Sequence, residues 1–238
     1  MRLSAPVRRL RHRARQLARS EGIPLHAALD RVAAGEGFAR WSLLVAKASA
    51  LDRVSGVLAH LSHGDMLLLG ARPGQGKTLF GFGLMAAAMR AGRSAALFTL
   101  EETAGDVIAR FRAMGIEPSA LEPRFRLEDA DEISASLITA KLASAPPGTI
   151  ATIDYLQLLD QRRDKPALSE QVAVLRRFAR ERGVILIFLS QIDRSYDPSA
   201  KPFPDLTDIR LPNPLDLGLF SKACFLNEGA MRFENGLH

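Results

Sequence analysis

Residues 70–78 of this 238-residue chain read Gly-Ala-Arg-Pro-Gly-Gln-Gly-Lys-Thr. They follow the apolar run Met66-Leu67-Leu68-Leu69, short enough for a buried strand. They precede an apolar stretch from Leu79 to Met89, long enough for a helix. A glycine-rich turn between strand and helix gathers backbone N–H groups and a helix N-terminus around one small cavity, which favours a phosphate. Arg72, Pro73, Gly74, Gln75 and Gly76 would form the cradle, and Lys77 would reach the β- and γ-phosphates. The Thr78 hydroxyl would ligate Mg2+. The strict spacing asks for glycine at position 71, where the chain has the small residue Ala71. The chemistry predicted is binding of a nucleoside triphosphate.

Such a loop needs an acidic partner for the metal. Thr149-Ile150-Ala151-Thr152-Ile153-Asp154 reads as a strand ending in a carboxylate, and Asp154 would hold Mg2+ through a water ligand.

These residues can meet only if a framework of strands and helices carries them. Apolar runs at 66–70, 95–99, 149–153 and 184–190 alternate with helical patterns at 77–91, 103–114, 131–144 and 167–182. That alternation predicts βαβ units, an α/β fold with a mainly parallel central sheet. Residues 1–49 read as a separate, small all-α module of three short helices. Pro24 opens the second, with Leu25, Leu29 and Val32 on one face; Gly35 and Gly37 stop it, and Trp41, Leu44 and Val45 start the third. The predicted domains are therefore 1–49, basic and helical, and 50–238, with 50–63 as connector. The Pro-, Asp- and Ser-rich stretch 194–214 reads as an extended loop, and 225–238 as one short edge hairpin.

Composition narrows the class further. With 47% hydrophobic and 24% charged residues the chain is an ordinary globular one. No stretch approaches the ~20 apolar residues that span a bilayer, and the basic N-terminus has no apolar core after it, so it is not a secretory signal. The single Cys224 suits a reducing cytoplasm, and reads most simply as a small buried hydrophobe. Charge is unevenly placed. Residues 1–20 hold seven arginines and no acid, so a net +6 for the chain leaves −1 for everything after them. A basic arm on a near-neutral body points to a polyanion, most often nucleic acid, or else to a solvated helix face.

The string Ile153-Asp154-Tyr155-Leu156-Gln157-Leu158-Leu159 closely resembles the Walker B segment of the DnaB-type hexameric replicative helicases, a branch of the RecA-like ATPases. Other segments resemble the same family in the same order. They are the loop at 70–78, the strand end Phe98-Thr99-Leu100-Glu101, Leu189-Ser190-Gln191-Ile192-Asp193-Arg194, and more loosely Leu206-Thr207-Asp208-Ile209-Arg210. The resemblance covers about residues 50–228. It implies a RecA-like P-loop fold and an ATP-dependent, Mg2+-requiring DNA helicase or DNA-dependent motor. It also implies a homo-oligomer, hexameric in the family, with single-stranded DNA as partner, bound through basic residues. The alternative is an ATP-dependent regulatory or recombination-mediator protein that binds DNA without unwinding it.

By motif position the resemblance makes Glu101 the general base that deprotonates the attacking water, with the neighbouring Glu102 as rival. It makes Gln191 the γ-phosphate sensor and puts Arg110 near the adenine, unless that arginine only decorates a helix face. Two departures stand out. The family's larger N-terminal domain is replaced by the small basic module. Its basic finger residues on a late strand are reduced here to Arg232.

Overall fold

The computed structural model describes residues 3–117, 119, 123–130, 132–160, 166–211 and 213–236. The chain forms two compact units, Met1–Gly56 and Val57–His238.

The first unit holds α1 (Val7–Glu21), α2 (Leu25–Gly35) and the start of α3 (Trp41–Ala59). Gly22 ends α1 in the left-handed conformation, φ 65°, and returns its N–H to the Ala18 carbonyl. Pro24 then stands immediately before α2. The Trp41 N–H donates to Asp30 Oδ1 at 2.8 Å and so fixes where α3 begins. Leu10, Ala33 and Leu44 form the core, packed by Val7, Val32, Phe38, Trp41 and Val45. The stretch 50–63, read as a connector, is helical as far as Ala59. It lacks proline, and Val54 and Val57 share one buried face, which outweighs the cost of Gly56 in a helix.

The second unit is built on seven strands. They are β1 (Met66–Ala71), β2 (Ala95–Thr99), β3 (Phe125–Glu128), β4 (Ile150–Asp154), β5 (Ile185–Gln191), β6 (Lys222–Asn227) and β7 (Ala230–Asn235), in the order β3-β2-β4-β5-β1-β6-β7. All neighbours run parallel except β6 and β7. Every residue of β1, β2 and β4 is buried, as expected of strands covered on both faces. The covering helices are α4 (Lys77–Arg90), α5 (Ala104–Ala113), α6 (Ala135–Leu142) and α7 (Leu168–Arg182). Among the described residues no helix is long and apolar enough to cross a membrane.

Three features differ from the sequence reading. β3 escapes it because its residues, three half-buried and Arg126 exposed, make no apolar run. The C-terminal hairpin begins at Lys222, and only β7 is an edge, since β6 is buried beside β1. The stretch 194–214 is folded back on itself rather than extended. Ile192 and Ile209 form an antiparallel bridge, the buried Tyr196 donates its hydroxyl to the Lys201 carbonyl, and Lys201 pairs with Asp205 and Asp208 at 2.9 and 2.6 Å. The Asp and Ser residues that read as loop formers here close local turns and a capping box. Cys224 is buried in β6, and burial pushes its thiol up to about 12.

Phe111 joins α5 to α4 and β3 through edge-to-face contacts with Phe82 and Phe125, ring centroids 5.1 and 5.0 Å apart. Phe111→Ala is expected to destabilise this unit by about 3–5 kcal/mol, measured by urea denaturation. A loss under about 1 kcal/mol would mean that the aromatic ladder does not hold α5 on the sheet.

Candidate functional site

The C-terminal ends of β1, β2, β4 and β5 meet on one edge of the sheet, where open α/β sheets form their crevices. β1 ends at Ala71, whose backbone avoids the left-handed region, so a Cβ is tolerated where the strict spacing asks for glycine. The loop then turns through Gly74 and Gly76 with φ 78° and 83°, conformations that L side chains rarely adopt. Gly76 is the N-cap of α4 and offers no side chain to its first turn. The free N–H groups of that turn are therefore open to an anion. Arg72 is half-buried and Pro73 exposed, while Gln75 accepts the Glu228 N–H on its Oε1 at 2.8 Å, which ties the loop to the β6–β7 turn.

Three polar side chains converge beneath this loop. Asp154, at the end of β4, is only 1% exposed, and a buried carboxylate needs partners. The Thr78 hydroxyl donates to its Oδ2 at 3.2 Å, and Lys77 Nζ lies 3.4 Å from its Oδ1. Lys77 also sits 5.7 Å over the Tyr155 ring. A carboxylate and a hydroxyl side by side are the hard oxygen donors that suit Mg2+, which takes few protein ligands and relies on phosphate and water for the rest. Among the described residues no larger cluster of metal-ligating side chains exists.

The tandem glutamates after β2 have separate fates. Glu102 is bound in two places by Arg110, Nε to Oε2 at 2.8 Å and Nη2 to Oε1 at 2.6 Å. Among the described residues Glu101 is in no such ion pair. Its N–H donates to Thr99 Oγ1, and Thr99 is in register with Asp154 on the adjacent strand. Burial, and then the negative charge of Asp154, raise the Glu101 carboxyl above its ordinary 4.5. Glu101 is thus a carboxylate at the site whose charged form the fold disfavours, while Glu102 is taken up by Arg110. Arg110 is held by Glu102 with its guanidinium 5.6 Å over the Phe82 ring, which fixes its plane on α5.

Gln191 ends β5 in register with Ala71 of β1. The residues around it are locked, since Ile192 donates to the Ala71 carbonyl and Arg210 to the Gln191 carbonyl. Gln157 had no role in the sequence reading beyond its place in the motif. Its Nε2 donates to the Arg210 carbonyl at 2.6 Å and to Ser190 Oγ at 3.4 Å, bracing the strand end next to Gln191. Only an amide in the turn after a strand-end aspartate hinted at this. Arg232, the basic residue of β7, pairs with Glu234 and lies over the Phe225 ring.

Residues 120–213 match the family model described as DnaB-like helicase C terminal domain. The replicative DNA helicase DnaB of Helicobacter pylori (strain J99) is 29% identical over 182 residues, covering 63% of this chain and 37% of that protein. That of Geobacillus stearothermophilus is 27% identical over 192 residues, covering 67% and 42%. The chain spans under half the length of these curated relatives. Among solved structures, a DnaB-like replicative helicase studied with primase superposes with TM-score 0.56 at 20% identity, covering 68% of this chain and 47% of that one. A KaiC-like protein from Pyrococcus horikoshii OT3 gives 0.51 at 17%, covering 68% and 70%. The fold is therefore that of the RecA-like ATPases.

The unequal glutamates are testable without any ligand. In a carboxyl-carbon NMR titration Glu101 is expected to protonate above its ordinary 4.5, because the fold disfavours its charged form. Asp154→Asn should lower that midpoint by removing a like charge. A Glu101 midpoint at or below the ordinary value would show that neither burial nor Asp154 acts on this carboxyl as the structure implies.

Proposed function

We propose that the α/β unit, a DnaB-type helicase C-terminal domain by its family match and relatives, binds ATP with Mg2+ at the 70–78 loop and hydrolyses it to drive an action on DNA. The observation that carries this reading is the cluster beneath a phosphate-shaped loop in which Lys77 and Thr78 lie 3.4 and 3.2 Å from the two carboxylate oxygens of Asp154.

The backbone of Arg72 to Gly76 and the first turn of α4 would cradle the phosphates, and Lys77 would leave Asp154 to pair with the β- and γ-phosphate oxygens. Thr78 and Asp154 would hold Mg2+, which supplies charge neutralisation on those oxygens. Glu101 would orient the attacking water and take its proton as the water oxygen bonds to the γ-phosphorus and the bond to the ADP oxygen breaks. Gln191 would hydrogen-bond the γ-phosphate, and Ile192 and Arg210 join that point to the folded loop 193–208 by backbone hydrogen bonds. Arg110, its plane already fixed, would flank the base. The acting form would be a homo-oligomer, a hexamer by analogy with the family, moving on single-stranded DNA through basic residues.

A second reading has one observation in its favour. Arg232 is engaged within its own subunit by Glu234 and Phe225, so it is not presented to a neighbour's site. Without a finger in trans, phosphoryl transfer can be slower by a factor of about 10³ or more. A DNA-binding ATP switch of the regulatory or recombination-mediator kind, without unwinding, would work at such rates.

Lys77→Ala is expected to weaken nucleotide binding about 10- to 100-fold, the worth of one or two charge-assisted hydrogen bonds, measured with a fluorescent ATP analogue. Glu101→Gln should bind ATP normally and turn over about 10²- to 10⁴-fold more slowly. Turnover at the parent rate in Glu101→Gln would show that another group is the base.

Light scattering with ATP and Mg2+ separates the two readings. A ring supports the motor, and a persistent monomer supports the switch.

A further inference from the structure

The first unit carries the chain's densest charge, and the geometry points to a function for it: we infer that α1 is a duplex-DNA-binding helix that seats in the major groove. This does not rest on the ATPase reading.

The arginines of α1 do not form a single stripe. At about 100° per residue, the exposed Arg11 and Arg15 project to one side, Arg8 and Arg19 outward, and Arg9 and Arg13 to the opposite side. Together they cover an arc of roughly 200° around the helix. The remaining arc belongs to Leu10 and Ala14, both buried in the module core. The sole acid of α1 is Glu21, its last residue, and it is paired with Arg31. None of the six arginines is in an ion pair among the described residues. Arg11 lies 5.9 Å over the Trp41 ring. Arg13 sits close enough to Glu36 to help lower its pKa, a shift due first to the hydrogen bonds from Ser4.

Cations on two opposite flanks and along the crest of one rigid helix fit a ligand that presents anions on both sides of a trench. The major groove of B-DNA is such a trench, about 12 Å wide between two phosphate walls, and an α-helix with its side chains is about 10–12 Å across. Arg8 to Arg19 spans roughly 16 Å of axis, enough to stay between both walls for several base pairs.

Other polyanions fit less well. A single strand has one line of phosphates and is held by aromatic stacking platforms, and α1 has no Phe, Tyr or Trp. The deep, narrow major groove of A-form RNA shuts side chains out. A membrane surface needs an apolar face to bury, and the apolar face of α1 is already covered by its own module. Contacts of this kind give affinity and register rather than sequence preference.

The test uses the full chain without nucleotide and a fluorescent DNA duplex, read by anisotropy across a KCl series. With four flank arginines engaged, the log–log slope should be about −3.6, at roughly −0.9 per phosphate contact. Arg9→Ala with Arg13→Ala should flatten it to about −1.8, and Arg11→Ala with Arg15→Ala should do the same. Arg9→Lys with Arg13→Lys should keep it near the parent value, because phosphate contacts need only the charge. Unchanged thermal melting of the variants would place the effect in binding rather than folding.

A slope that neither alanine pair alters would overturn the proposal. So would a matching single strand, or an RNA duplex of the same sequence, that binds as tightly and loses as much affinity from the same substitutions. Since no nucleotide is present, an error in the ATPase assignment would leave this result standing.

Discussion

A carboxylate that is 1% exposed at the end of a central strand constrains everything around it. Removing one partner of a buried ion pair costs about 3–5 kcal/mol, so Asp154 commits the fold to holding Lys77 and Thr78 within reach. The commitment is not local. β4 and β1 are not neighbours; β5 lies between them. The N-terminal turn of α4 must therefore cross β5 to bring its side chains from the end of β1 to the end of β4. Gly81 makes that crossing close. A Cβ there would lie 3.4 Å from Leu189 of β5 and from Thr152 of β4, already tight against both. The burial of one broad face of α4, with Phe80, Phe82, Leu84 and Met85 all inside, follows from the same need to lie flat on the sheet.

Once that pair is set, the surrounding charges sort themselves by which partner each can reach. Glu101 and Glu102 are adjacent in sequence and opposite in circumstance. Glu102 has a guanidinium held against both its oxygens, whereas Glu101 faces Asp154 and a partly dehydrated pocket edge. Two carboxylates in different environments are a familiar way to give one of them a chemical task and the other a structural one. Arg110 and Arg232 repeat the contrast among cations. Both are bound by a glutamate and backed by a phenylalanine ring, but Arg110 stands on the helix after Glu101 and Arg232 on the far edge strand.

Much of the site was legible because its parts sit on elements with loud signatures. Leu67 to Leu69, Ile150 to Ile153 and Ile185 to Leu189 are apolar runs that can only be buried strands, and the functional residues follow directly at their ends. What was not legible depends on pairing across the sequence. The four residues of β3 have no apolar period of their own and are a strand only because β2 lies alongside. Phe225 and Leu226 read as part of an edge hairpin, since nothing in them shows that β1 would take β6 as its second neighbour. The stretch 194–214 read as loose because turn formers dominate it. It is closed by Ile192 against Ile209 and by Lys201 against two aspartates, contacts no periodicity announces. Gln157 is the same case on the scale of one side chain, for its partners lie 33 and 53 residues away.

Those long-range contacts also explain how the shape of the phosphate loop is held. A glycine-rich loop has the most conformational freedom to lose, so a preformed cradle needs restraints from outside itself. Gln75 supplies one by accepting the Glu228 N–H at the β6–β7 turn, where Glu228 itself takes a φ of 48° ahead of Gly229. That turn is held in its own right, because Asn227 Nδ2 donates to the Pro202 carbonyl at 2.9 Å. On the other side, Ile192 donates to Ala71, where the loop leaves β1. The loop is thus anchored at its first residue by the strand that ends in Gln191, and at its fourth variable position by the C-terminal hairpin. Both anchors also grip the folded segment 193–208, so a displacement of that segment and a displacement of the loop would act on the same few hydrogen bonds.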